Sequence, residues 1–111
     1  MNLRNRVQLI GRLGMDPEVR QFNGSKKVAR FVLATDDVKR SGDKPTKETQ
    51  WHNIVIWGGQ AEIAEKYLSK GREVAIEGRL VHRNYEDKNG NKKYVTEVVV
   101  NDLVLLGHKK D

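Results

Sequence analysis

Residues 50–80 read QWHNIVIWGGQAEIAEKYLSKGREVAIEGRL, and the change of period inside this stretch decides the fold. From Gln50 to Trp57 side chains alternate as on a half-buried strand, which Gly58-Gly59 ends. From Gln60 to Lys70 the spacing turns helical. Ala61, Ala64 and Leu68 fall at i, i+3 and i+7, and Ile63 and Tyr67 are four apart, which places Tyr67 in the core. Glu62 and Lys66 are set for an i, i+4 ion pair, and Gly71 sits where a left-handed helix C-cap is expected. From Glu73 to Asn84 the chain returns to a strand.

Working outward, every other segment reads as strand or turn. Val7, Leu9, Gly11 and Leu13 alternate with Gln8, Ile10 and Arg12. Gly14 and Asp16-Pro17 break that strand. Val19–Phe22 is a short strand ending at Asn23-Gly24, a dipeptide suited to a two-residue hairpin turn. Val28–Thr35 follows, and Asp36–Lys47 is polar enough to read as a flexible loop. After Asn84, the Asn89-Gly90 turn leads into a last strand, Lys92–Leu106. The chain is therefore all-β with one helix, placed between the third and fourth of five principal strands. That is the order of an OB-fold, a five-stranded Greek-key barrel. Strands 73–84 and 92–106 would project from it as a hairpin. An SH3-like barrel would leave the helix unexplained. We expect the OB-fold domain to span 1–107, with 108–111 a short polar C-terminus.

At 111 residues the chain suits one domain. It holds 21 Lys+Arg against 15 Asp+Glu, a net charge of +6 that suggests an anionic partner. The excess is local. Residues 1–40 carry nine basic and four acidic side chains and 79–94 carry five and two, whereas the helix region is slightly acidic. If the two basic regions share a face, it is a positive groove. The absence of cysteine excludes a disulfide scaffold, a thiolate metal site and a cysteine nucleophile. No apolar run approaches the roughly 18 residues of a membrane span and no signal peptide opens the chain, so a cytoplasmic, nucleoid-associated protein without membrane contact is expected.

Catalysis finds little support. His52, His82 and His108 have no metal-ligand spacing, the three serines lie in no nucleophile motif, and Gly11-Arg12-Leu13-Gly14 is not followed by the Lys of a phosphate loop. No enzyme, cofactor or metal is expected. The aromatics are more informative. Trp51 and Trp57 are six residues apart on one strand, so both leave the same face, about 20 Å apart. For either Trp alone, core packing and exposure are evenly matched. As a pair on the more polar face of a basic protein, they favour stacking on bases. Tyr85 adds a third ring beside the second basic segment. Rings interleaved with Lys and Arg are what an unpaired nucleic-acid strand requires.

At these residues the chain resembles the bacterial single-stranded DNA-binding protein family. The likeness runs through Asn5-Arg6-Val7, Gly11-Arg12-Leu13-Gly14, Asp16-Pro17-Glu18-Val19-Arg20, Phe31 to Thr35, Gln50-Trp51-His52, Tyr67 to Gly71, Val74 to Leu80 and Tyr94 to Val100. The resemblance implies an OB barrel that binds and protects single-stranded DNA, without strong sequence preference, in replication, recombination and repair. It implies stacking by Trp51, Trp57 and Tyr85 and a DNA path along Arg20, Lys70, Arg83 and Lys93, to which the basic segments add Arg4, Arg6 and Lys39. It also implies a homotetramer, a dimer of dimers, with Asn5, Val7 and Leu9 in the dimer-forming strand and His52 at subunit contacts. Val38 replaces a fourth stacking ring, and Asn53 and Gly59 stand where some relatives carry a basic residue. Relatives continue into an acidic-tipped tail that recruits replication and repair proteins, which this sequence, ending Lys109-Lys110-Asp111, does not show. A short primosomal replication protein, an OB-fold dimer acting mainly through protein contacts, is the alternative reading, and a small nuclease a distant third.

Overall fold

The barrel-side portions of the strands, where buried and exposed residues alternate, set the architecture. In the computed structural model, which describes residues 3–22, 24 and 26–107, the chain forms β1 (Val7–Leu13), β2 (Glu18–Phe22), β3 (Lys26–Ser41), β4 (Lys44–Trp57), α1 (Gly59–Tyr67), β5 (Glu73–Glu86) and β6 (Lys92–Leu105). The sheet order is β1-β5-β6-β4-β3-β2, and a further β1–β3 pairing at Arg12↔Ala34 and Leu13↔Leu33 closes five strands into a barrel. β2 stays outside the ring, on β3. All pairs are antiparallel except β4 with β6, which run parallel over Asn53–Val55 and Glu97–Val99. The expected OB barrel is present.

Closure depends on two glycines. A Cβ on Gly11 would drive into the Ala34 carbonyl where β1 meets β3, and one on Gly78 would drive into the Val99 carbonyl. Gly78 also marks the register shift in the β5–β6 ladder, where the strand bends. Inside the ring, Leu13, Phe31, Leu33, Ile54, Ile56, Val74, Ile76, Val98 and Val100 form the core, and Ala61, Ala64 and Leu68 add the helix to it. Each fully buried aliphatic side chain contributes about 1.5–3 kcal/mol of transfer free energy.

Four expectations about the polar segment 36–47 and the helix require correction. Asp36–Lys47 is not a loop: β3 and β4 pair continuously to Ser41↔Lys44, with a turn at Gly42-Asp43 in which Gly42 has φ 70°. Exposed on both faces, this arm has no apolar alternation to reveal it. Its cross-strand polar pairs replace that signal: Thr49 Oγ1 donates to Asp36 Oδ1 (2.7 Å), and Lys39 Nζ reaches Glu48 Oε2 (2.9 Å). Second, Tyr67 is half exposed, not core. At 100° per residue, Ile63 and Tyr67 lie off the Ala61/Ala64/Leu68 face that docks on the barrel. Third, Glu62 pairs with Lys27 of β3 (3.6 Å), as does Glu65 (3.0 Å), so the acidic edge of α1 faces the sheet and not Lys66. Fourth, α1 ends at an extended Leu68 cap, and Gly71 (φ 89°) serves the turn into β5, its N–H donating to the Leu13 carbonyl (2.8 Å).

The hairpin expected from the fourth and fifth principal strands is the β5–β6 arm. Its turn is held by Asp87, whose Oδ1 accepts the N–H groups of Asn89 and Asn91, both at 2.9 Å. At the other small hairpin Phe22 faces Lys26, so three residues make the connection where two were expected. Asn23 itself, and the C-terminal expectation for 108–111 including the acidic tail, lie outside the described residues. Among the described residues no helix is long and apolar enough to cross a membrane.

Candidate nucleic-acid interface

Directly opposed residues of a ladder share a face, so the registers show which side chains the fold gathers. On β4 the outward set is Trp51, Asn53, Val55 and Trp57, opposite Ala34, Val32, Arg30 and Val28 of β3. On the other side Asn53 and Val55 lie beside Glu97 and Val99 of β6. Those residues face Val81 and Arg79 of β5, and further along the arm Val95 faces Arg83 and Lys93 faces Tyr85. Beyond β3, Arg20 of β2 pairs with Val28, and Phe22 with Lys26. One continuous face therefore carries Trp51, Trp57, Tyr85, Arg20, Arg83 and Lys93, six of the expected residues.

The rings on it are open to solvent: Trp51 is 61% exposed, Trp57 49% and Tyr85 48%. Val28 and Val55 form a buried floor outside the barrel core. Phe22 lies 6.4 Å from Trp57, ring centroid to centroid and tilted by 35°. The Arg83 guanidinium sits 5.8 Å from the Tyr85 ring centroid, within cation–π range.

Sequence reasoning missed the centre of this face. Glu97, with its side chain only 7% exposed, takes Arg83 Nε on Oε1 (2.8 Å) and both Arg83 Nη2 (3.2 Å) and Arg30 Nη1 (2.6 Å) on Oε2. One carboxylate thus joins β3, β5 and β6 across β4. The Arg83 hydrogen bond, and then that of Arg30, hold the Glu97 carboxyl below its ordinary value against the opposing effect of burial. Arg83 is correspondingly pushed up by Glu97. Strand alternation between Ala29 and Phe31 already turns Arg30 outward, and that signal could have found it. No local pattern marks Glu97, because its partners are 67 and 14 residues away.

Other expected residues lie elsewhere. Lys39 falls on the opposite face of its arm, engaged by Glu48, whereas Arg40 has the register of the aromatic face. Lys70 follows α1, its backbone N–H on Asp16 Oδ1 (2.8 Å), and lines a cavity of about 550 Å³ with Arg12, Lys66, Tyr67 and Arg72. Arg6 Nε lies 3.4 Å from Glu77, and Arg4 precedes β1.

For self-association, Asn5 extends the β1–β5 pairing within the chain, exchanging hydrogen bonds with the Leu80 carbonyl and N–H (2.9 and 2.8 Å). Val7 and Leu9 turn inward against the core. Ile10 turns outward and is more than half exposed, in register with Ala75 and Val104, an apolar stripe across three strands. β1 pairs with β3 only at its last two residues, so along Val7–Ile10 its β3-side edge carries no described pairing. His52, half-buried, contacts Thr35 Oγ1 through Nε2 (2.9 Å), beside a cavity of about 320 Å³ lined also by Leu80 and Tyr94. No cluster of three or more metal-ligating side chains occurs among the described residues.

With this geometry in view, known proteins are informative. The model of the Single-strand binding protein family matches residues 4–106. A protein of Chlorobaculum tepidum named single-stranded DNA-binding protein 1 is 49% identical over 107 residues, 95% of this chain and 66% of the relative. A Xylella fastidiosa protein of the same name is 41% identical, covering 96% of this chain and 80% of its own length. The chain thus spans two thirds to four fifths of these relatives. Among solved structures, the Plasmodium falciparum SSB complex with ssDNA superposes with a TM-score of 0.84 at 35% identity, covering 96% of this chain and all of that one.

Proposed function

This chain belongs to the single-strand binding protein family, and on that premise we propose that it binds single-stranded DNA along the aromatic face without strong sequence preference. The observation that carries the reading is the shared register of Trp51, Trp57 and Tyr85 with Arg20, Arg83 and Lys93 on one exposed face. The rings take unpaired bases by stacking, at about 1–3 kcal/mol per base, and every base offers a π-face. The guanidinium and ammonium groups neutralise phosphates and release counterions. Neither interaction reads base edges, which accounts for sequence tolerance. Arg30, Arg40 and Phe22 join the path; Lys70 and Arg6 lie off the sheet face and would meet DNA only where it wraps past the barrel end.

The reading extends to protection of single strands during replication, recombination and repair in the cytoplasm, with residues 1–107 acting as the binding unit. It also extends to a homotetramer assembled as a dimer of dimers. Support for self-association comes from the β1 edge and the Ile10–Ala75–Val104 stripe, with His52 near the β4–β6 cavity. The names of the relatives favour this reading over a primosomal protein acting mainly through protein contacts. Recruitment of replication and repair proteins, which the resemblance ties to an acidic tail, stays part of the proposal for a chain that carries one.

Titration with single-stranded and duplex oligonucleotides at two salt concentrations tests the function. The expected result is quenched Trp emission with single strands, much weaker binding of duplex, and an affinity that falls as salt rises, with a slope of about −0.7 per phosphate neutralised. Equal affinity for duplex would overturn it.

A further inference from the structure

Trp51 is exposed, yet one edge of its indole is not free. Gly14, in the turn after β1, is where a side chain would meet that ring. A Cβ built there would overlap Trp51 Cζ3, with Cη2 at 3.2 Å and Val32 Cγ2 at 3.0 Å. Gly14 cannot back away, because its N–H is tied to the Val32 carbonyl (2.9 Å). Its backbone does not need glycine, since it lies outside the left-handed region that sets Gly24, Gly42 and Gly58 apart. The missing side chain is therefore required by the ring, not by the turn.

We infer that Gly14 is a positioning residue for DNA binding: the bare backbone at Gly14, flanked by Val32, seats the benzo edge of Trp51 and holds the indole in its base-stacking pose. The inference rests on the proposed stacking role of Trp51. An alanine at position 14 leaves the fold intact, because the ring has open solvent into which it can swing. What it removes is the pose. Restricting a ring before the base arrives reduces the ordering cost at binding, so a loosened ring stacks less well.

The contact atoms dictate the test. Cζ3 and Cη2 belong to the indole's benzo ring and have no counterpart in the shorter Phe side chain. Four proteins are compared with oligo(dT): wild type, Gly14→Ala, Trp51→Phe, and the double variant. Gly14→Ala is expected to weaken binding about 5- to 30-fold, within the range of one stacking contact, and to cost less than twofold in the Trp51→Phe background. A spectroscopic arm uses Trp57→Phe, in which Trp51 is the one remaining Trp and is excited selectively over the three Tyr. There Gly14→Ala should red-shift the Trp51 emission and lower its anisotropy without DNA. An equal loss in both backgrounds, or an unchanged Trp51 emission, would overturn the seat. Failure of the stacking reading is distinguishable: Trp51→Ala would then bind oligo(dT) like wild type, whatever the emission of Trp51 does on Gly14→Ala.

Discussion

Two hairpins extend from one barrel, and they are built differently. The β5–β6 arm carries Tyr85, Arg83 and Lys93 on the aromatic face and is fastened at its base by Glu97. The β3–β4 arm has a similar length but no aromatic residue beyond Trp51, and its charges answer each other locally: Lys39 with Glu48, and Lys47 with Asp36 (3.3 Å). The first arm therefore offers open rings and Lys93 to a ligand, with Arg83 anchored by Glu97, while much of the charge of the second holds its own ladder together. Similar backbone geometry supports two roles, and the difference lies in where each charge finds its partner.

Breaking the fastening should have the largest effect. Glu97→Gln strips the counter-charge from Arg30 and Arg83 and is expected to cost about 1–3 kcal/mol of stability at pH 7, read by urea unfolding. Because the folded carboxyl sits below its ordinary value of 4.5, its contribution is full above that pH and is lost as pH falls through the lowered value. The gap between wild type and Glu97→Gln should therefore close in acid. Asp36 of the other arm is also lowered, chiefly by the Thr49 hydrogen bond and then by Lys47, but it is exposed, and Asp36→Asn should change the acid limb far less.

Binding sharpens the same contrast. Tyr85→Ala should weaken oligonucleotide binding by about 1–2 kcal/mol, whereas Val38→Ala, at the register position of the missing fourth ring, should change it by less than about 0.5 kcal/mol. Smaller again are the charge effects. Lys93→Ala should reduce the salt slope by about 0.7, and Lys39→Ala should leave it unchanged, since Lys39 faces away from the rings. Its pair with Glu48 contributes about 0–1 kcal/mol of stability, as exposed pairs do.

The same two arms show what a sequence makes legible. Alternation located the core strands because burial writes a period of two, and the helix because it writes 3.6. Asn89-Gly90 announced one arm. The other has no buried side, so nothing in Asp36–Lys47 distinguished a ladder of polar pairs from a loop. The two Trp were legible because they share one strand and one parity. Their grouping with Arg20 and Tyr85 depends on registers between four other strands, and Glu97 on partners distant in sequence. The error at Tyr67 was one of angle: two apolar residues four apart define a face, but not the face that packs.

The central claim, that a single strand crosses the β4 face over both tryptophans, is tested most directly by two single-Trp proteins, Trp51→Phe and Trp57→Phe, titrated with oligo(dT). Phenylalanine keeps a ring at each position, so binding persists and the remaining indole reports its own contact. The account predicts that both proteins bind and that both emissions are quenched with the same stoichiometry. Binding with neither indole quenched, or with only one, would contradict it.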